Sequence, residues 1–248
     1  LNANVGGSAA TQINGTLILD SSGADATLAS SGGLRGNGTL ILAETNTRKW
    51  ILAGDNGSFL GSIFINGGTL TNANNSGESN GNAFGSTLAP MTIGPAGTLE
   101  IRGSTNGSIT IGPNNDITLY GRIYGNYATT AVTNTVPRLG GVVNIPDFLP
   151  DLVTPNNPVF EVERGSQLNV NNLIYSNIGI TKTGNGRLVL NTQMTSGNML
   201  GDTGRNADYS LKGQIRVNAG ELWLSGNNRS AGAQGVGNEI VVIPGATL

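Results

Sequence analysis

Apolar residues in this chain recur at every second position and rarely at every third or fourth. Leu17 and Leu19 share one face of a strand with Ile18 opposite. The same alternation pairs Ile109 with Ile111 and Ile117 with Leu119, and sets Phe160 and Val162 against Glu161 and Glu163. Glycine or asparagine interrupts each run before about 10 residues, so the pattern predicts short strands throughout and no helix.

The strands repeat. Gly15-Thr16-Leu17-Ile18-Leu19 and Gly38-Thr39-Leu40-Ile41-Leu42 are near copies, with Leu17 and Leu40 23 residues apart. That interval matches one turn of a stacked β architecture, whose repeats run roughly 20–30 residues, and stacking would place Leu40 over Leu17. A longer unit also occurs twice, over residues 36–101 and 178–248. Its beats are LRGNGTLIL, GSIFINGGTL and MTIGPAGTLEI in the first copy, and KTGNGRLVL, GQIRVNAGELWL and IVVIPGATL in the second. In the middle beat Gly61, Ile63, Ile65, Asn66 and Gly68 correspond to Gly213, Ile215, Val217, Asn218 and Gly220. Strands that restart after Gly or Asn predict an elongated stack, with Leu17, Leu40, Leu70, Leu99, Leu188 and Leu222 buried in roughly 9–11 coils.

Two stretches break the rhythm. Asn72–Asn82 is almost wholly Asn, Ser, Gly and Glu and reads as a surface excursion. Residues 126–158 hold Pro137, Pro146, Pro150, Pro155 and Pro158, more than half of the chain's 9 prolines. Proline cannot donate to an interior ladder, so this segment is expected to be one long insertion that leaves the stack. Its apolar Phe148, Leu149 and Leu152 are expected to lie on the flank.

Composition narrows the function classes. The 248 residues form one all-β unit without an internal boundary, and the 39 glycines follow no Gly-X-Y period. Charged residues make up 11% and the net charge is −2, so no electrostatic footprint for nucleic acid exists. The chain has no cysteine and no histidine, which removes disulfides, thiolates and the commonest metal ligand and general base. No stretch approaches the roughly 20 apolar residues of a membrane span. Leu1 and the halt at Ala246-Thr247-Leu248 point to a processed piece or to the ordered part of something longer, and neither end shows a capping helix.

Candidate chemistry is thin. Glycoside cleavage needs two carboxylates across a groove, and the pairs offered are Glu161 with Glu163 and Asp147 with Asp151. Alternation alone explains the first pair as a solvent-facing row. Asp55-Asn56-Gly57 and Asp202-Thr203-Gly204 bear a partial likeness to calcium loops but complete no calcium-binding spacing, so they read as turns. Trp50, Trp223, Tyr120, Tyr124 and Tyr127 are the aromatics available to stack on sugar rings. Trp223 alternates with Leu222 and Leu224, which points it outward and makes it the preferred surface contact. No catalytic, metal or cofactor residue is assigned.

The beats Lys182–Leu190, Val217–Leu222 and Pro244–Leu248, with Gly36–Leu42 and Ile65–Leu70, resemble the autotransporter-associated β-strand repeat of bacterial surface proteins. Together the two copies cover roughly half the chain. The resemblance implies an all-β, right-handed parallel β-helix (β-solenoid), displayed outside a bacterial cell, with Gly and Asn such as Asn66 and Asn218 at corners of positive φ. Residues 126–158 between the copies, and the lack of a C-terminal membrane β-barrel in this sequence, depart from the family pattern. The function expected is therefore an extracellular structural or adhesive solenoid, passenger-like or a fibre subunit that stacks end to end. Its expected partners are other copies of itself, a host or neighbouring cell surface, or a polysaccharide, with no cofactor. A polysaccharide lyase or hydrolase and a phage tailspike-type receptor-binding protein are the alternatives. The lyase or hydrolase is disfavoured because no convergent cluster of acids with Arg or Lys is visible in the sequence.

Overall fold

A computed structural model describes residues 10–28, 32–73, 83–86, 89–103, 110–111, 116–126, 136–171, 174–191, 211, 213–225 and 239–248. Among these the chain is all-β without a helix, and every pairing between strands is parallel. The strands fall into three ladders. The first takes Thr16–Leu19, Thr39–Leu42, the first half of Ser62–Asn72, the first half of Met91–Arg102, Ile117–Leu119, Val143–Ile145 and Ile174–Ser176. The second runs from Ala26–Leu28 and Lys49–Leu52 through the second halves of the two long strands. It continues through Arg122–Asn126, Val159–Val162, Gly179–Thr183 and Gln214–Val217 to Ile240–Val242, a row of nine strands among the described residues. The third comes in two sheets, one of three strands (Thr11–Gln12, Leu34–Gly36, Ser58–Phe59) and one of five (Thr110–Ile111, Arg138–Leu139, Gln167–Val170, Arg187–Asn191, Glu221–Ser225). From Thr11 the described strands recur in the order third, first, second, except that no third-ladder strand is described between Ser62–Asn72 and Met91–Arg102 and no first-ladder strand after Ile174–Ser176.

Alternation and register together build the core. Leu17, Leu40, Ile63, Met91, Ile117, Val143 and Ile174 are direct partners up the first ladder. Up the second the column reads Trp50, Leu70, Leu99, Ile123, Phe160, Lys182 and Val217. Leu40, Leu70, Leu99, Leu188 and Leu222 are fully buried, and Ile18 points outward at 61% exposed. Leu17 is only partly buried, against expectation, because its strand is the first described rung of its ladder and has a neighbour on one side.

The long repeat lies differently from the sequence expectation. Leu70 sits on Trp50 and under Leu99 in the second ladder, whereas Leu40 sits under Ile63 in the first. The middle beat turns from the first ladder to the second in copy one, and from the second to the third in copy two. The motif therefore specifies a corner, and the same corner is used at two places around the stack. Within it, Asn66 and Asn218 do not adopt positive φ. Gly68 (φ 61°) and Gly220 (φ 68°) do, and a Cβ at Gly68 would stand 2.2 Å from the Asn46 amide nitrogen of the coil beneath.

Residues 126–158 are likewise not one insertion. Arg138–Leu139 and Val143–Ile145 are rungs of the third and first ladders. Pro137 precedes one strand and Pro146 follows the other, so the missing N–H groups fall at strand ends, where they cost no ladder bond. Among the described residues of this segment, the stretch after Ile145 leaves the ladders as a hairpin closed by the antiparallel bridge Phe148–Pro155. Asp151 accepts from the backbone N–H of Val153 and Thr154 and from the Thr154 hydroxyl at 2.6–3.0 Å, and these hydrogen bonds hold its carboxyl below the usual range. Leu152 takes the left-handed conformation at φ 59°. The hairpin tip is not packed on the flank as expected: Leu152 and Val153 are 80% and 77% exposed, while hydrogen bonds within the hairpin, Leu149 N–H to Thr154 and Leu152 N–H to Leu149, satisfy its backbone.

Candidate functional site

The outer face of the second ladder collects charge that is scattered in the sequence. Residues that alternate with the core column project there: Thr71, Glu100, Tyr124 and Glu161 in one row, and Lys49, Thr69, Thr98 and Arg122 in the next. Glu100 is completely buried. Its Oε1 accepts from Arg102 Nε and Asn126 Nδ2, both at 3.0 Å, and its Oε2 meets the Lys49 ammonium at 2.6 Å. One rung on, Arg122 donates to Glu161 at 2.7 Å and the Tyr124 hydroxyl donates to Glu163. The convergent cluster of acids with Arg and Lys that the sequence did not reveal is therefore present. Lys49 and Glu161 lie more than a hundred residues apart, and only the register of five parallel strands brings them onto one surface.

Burial by itself would raise the Glu100 pKa, yet hydrogen bonds from Lys49, Arg102 and Asn126 outweigh it and the carboxyl is held below its ordinary value. A carboxylate with a depressed folded pKa contributes stability above its unfolded pKa and loses it as pH falls through the folded value. Glu100→Gln is therefore expected to cost about 2 kcal/mol near neutral pH, since it removes charge-assisted contacts to cations that remain about a quarter exposed. The difference from wild type should shrink as pH drops below about 4, measured by urea unfolding at stepped pH. A constant difference would show that the Glu100 charge makes no contribution.

The sequence candidates are placed as follows. Glu161 and Glu163 share the outer face but are bound to Arg122 and Tyr124 rather than left open across a groove. Asp147 accepts from Asn177 at 3.3 Å and Asp151 caps the hairpin tip, so the structure gives those two separate roles. In Asp55-Asn56-Gly57, Asp55 accepts from the Gly57 N–H as a turn requires. Asp202-Thr203-Gly204 and Tyr127 lie outside the described residues. Trp50 is buried and donates to the Asn46 amide oxygen, which removes it as a sugar platform. It occupies an inward column position, and its size alone did not reveal that. Tyr120 and Tyr124 are half-buried. Trp223 is exposed as expected; Arg187 lies over its ring at 3.7 Å, and its Nε1–H donates to Glu221 at 3.0 Å. Among the described residues no group of three or more acids, His or Cys is placed to hold a metal ion.

Two kinds of buried polar group escaped the sequence reading. Asn46, Asn56 and Asn72 sit at corners, where each side-chain oxygen accepts a backbone N–H from another coil and each amide donates to carbonyls. An asparagine in a turn looks the same in sequence whichever way it points. Lys182 is the second kind: fully buried in the core column, it donates to the carbonyls of Thr183, Gly184 and Ala219 at 2.6–2.9 Å. Its bond to Ala219 is the counterpart of the Asn46 bond to Gly67 at the other copy of the corner. Counting by two from Ile180 points Lys182 inward, a signal that its charge disguised.

No protein-family model, curated protein or solved structure matches this chain.

Proposed function

We propose that this chain is an extracellular structural or adhesive scaffold: a right-handed parallel β-helix of a bacterial cell surface, passenger-like or built into a fibre. The observation that carries the reading is the repeated return of strands to the same parallel ladders, with one partner column nine strands long among the described residues. Each rung of such a stack contacts only its neighbours, so length is added without a new core, which suits a spacer that holds a contact surface away from a cell. The repeat motif supports the family resemblance by marking corners, where glycine and a buried cap are both required.

The carbohydrate-active alternative draws on the cluster around Glu100, the one feature of the outer face that such an enzyme would need. It is the weaker reading, because Glu100 is inaccessible and Glu161 is neutralised by Arg122.

Protease treatment of intact source cells separates these ideas from an internal role. Peptides of this chain should be released without lysis; their recovery only after lysis would remove the surface reading. Sedimentation of the purified chain at high concentration then distinguishes a fibre subunit, which grows into species far above one chain, from a passenger-like monomer.

A further inference from the structure

Beside the base of the hairpin, on the outer side of the second ladder, lies a groove of about 410 Å³ whose lining includes Asn156, Asn157, Thr181, Gln214, Arg216 and Asn218. We propose that this groove binds an acidic saccharide, with Arg216 taking a sugar carboxylate and the amides taking hydroxyls. The first argument is an unmet need. Asn156 is 6% exposed, its Nδ2 donates to the carbonyls of Leu119 and Pro146 at 3.0 Å, and its Oδ1 has no donor. Asn171 Oδ1 shares this lack away from the groove, whereas the oxygens of Asn46, Asn56 and Asn72 accept from the N–H of Ser21, Leu34 and Arg102 at 2.8–3.1 Å. A buried acceptor without a donor carries a free-energy penalty; this oxygen is itself closed off from solvent, so a ligand hydroxyl relieves the penalty only by displacing the groove wall beside it.

The second argument is the chemistry of the lining. Amides and a hydroxyl both donate and accept, which matches sugar hydroxyls that do the same. Arg216 brings the positive charge, and among the described residues no carboxylate lines the groove; the adjacent Glu239 is occupied by Gln214 Nε2 at 2.8 Å. Arg216 is oriented before any ligand arrives, because its Nε donates to Asn218 Oδ1 at 3.0 Å, and a fixed guanidinium plane suits a planar carboxylate. Thr181 is held in the same way, its hydroxyl donating to Asn157 Oδ1 at 3.1 Å. Among the described residues no aromatic ring or cluster of cations lines the groove, so a nucleotide or polyphosphate lacks its usual contacts there.

The site deepens the surface-scaffold reading and rests on it for the source of the ligand. The test is calorimetric or ligand-observed NMR titration of the full chain with oligogalacturonate and, in parallel, with a neutral galacto-oligosaccharide. Oligogalacturonate should bind, and Arg216→Gln and Gln214→Ala should each weaken it, the first by about tenfold or more, the size of one lost charge-assisted contact. Glu163→Ala, on the outer face away from the groove, should leave binding unchanged. Absence of binding overturns the proposal, as does binding that both groove variants leave intact. Equal affinity for the neutral sugar overturns the assignment of Arg216. A chain that binds neither sugar yet is shaved from intact cells loses the groove and keeps the scaffold; binding by a chain confined inside cells does the reverse.

Discussion

Leu188→Ala is expected to lower the free energy of unfolding by about 2–5 kcal/mol, with an unchanged fold and an earlier urea midpoint. Leu188 is fully buried and stands between Leu168 and Leu222 in the third ladder. Truncation removes the transfer free energy of three carbons and leaves a hole. The hole cannot close, because the strands on both sides are held at ladder spacing by their own hydrogen bonds, and neither neighbour can slide inward without breaking them. Glu163→Ala supplies the comparison: this exposed side chain loses only the hydrogen bond from Tyr124, for a cost below about 0.5 kcal/mol. Equal effects of the two substitutions would mean that inward and outward faces are exchanged.

The stability of the wild-type chain is expected to rise with pH between about 8 and 10, and that rise should vanish in Lys182→Met. Burial in the core column is the main cause that pushes the Lys182 pKa down, to about 8 from 10.5, against the opposing pull of Glu161 and Glu221. Within that window the folded chain has released a proton that the unfolded chain still holds. The unfolded state then binds more protons, and stability increases with pH; below about 8 the penalty of the buried charge is fully present. The full interval corresponds to roughly 3 kcal/mol at 1.36 kcal/mol per unit. The measurement should stop near pH 10. Beyond it Tyr124, whose pKa is pushed up by burial and by its bond to Glu163, keeps its proton in the folded state while unfolded tyrosine loses it, and stability falls. Lys182→Met also strands the carbonyls of Thr183, Gly184 and Ala219, so its absolute stability is a poor readout. The slope against pH isolates the charge. An unchanged slope in the variant would place the titration elsewhere.

The hairpin after Ile145 and the cluster around Glu100 show where sequence reasoning stopped. Proline counts marked residues 126–158 as unfit for a ladder, yet position within a strand matters more than number, and Pro137 and Pro146 flank strands without entering them. Apolar Phe148 and Leu152 looked like a buried flank, whereas the hydrogen bonds of Asp151 let the tip stand exposed. Glu100 alternates outward from Leu99 and Ile101, and alternation alone would leave it in solvent. It is buried because Lys49, Arg102 and Asn126 close over it from other rungs and other positions on the same face.

Period-two alternation and the density of glycine and asparagine determined, without coordinates, that the chain is all-β and that Leu40, Leu70, Leu99, Leu188 and Leu222 face inward, since strand direction is a local property of the backbone. The repeat told where corners occur, for the same reason: a glycine with positive φ is required by the turn itself. Only the tertiary structure decided which ladder each corner joins, which asparagines cap another coil, and which charges meet. Those depend on the number of residues spent in each excursion before the chain returns to its ladder, and a change of one rung moves every partner on that face.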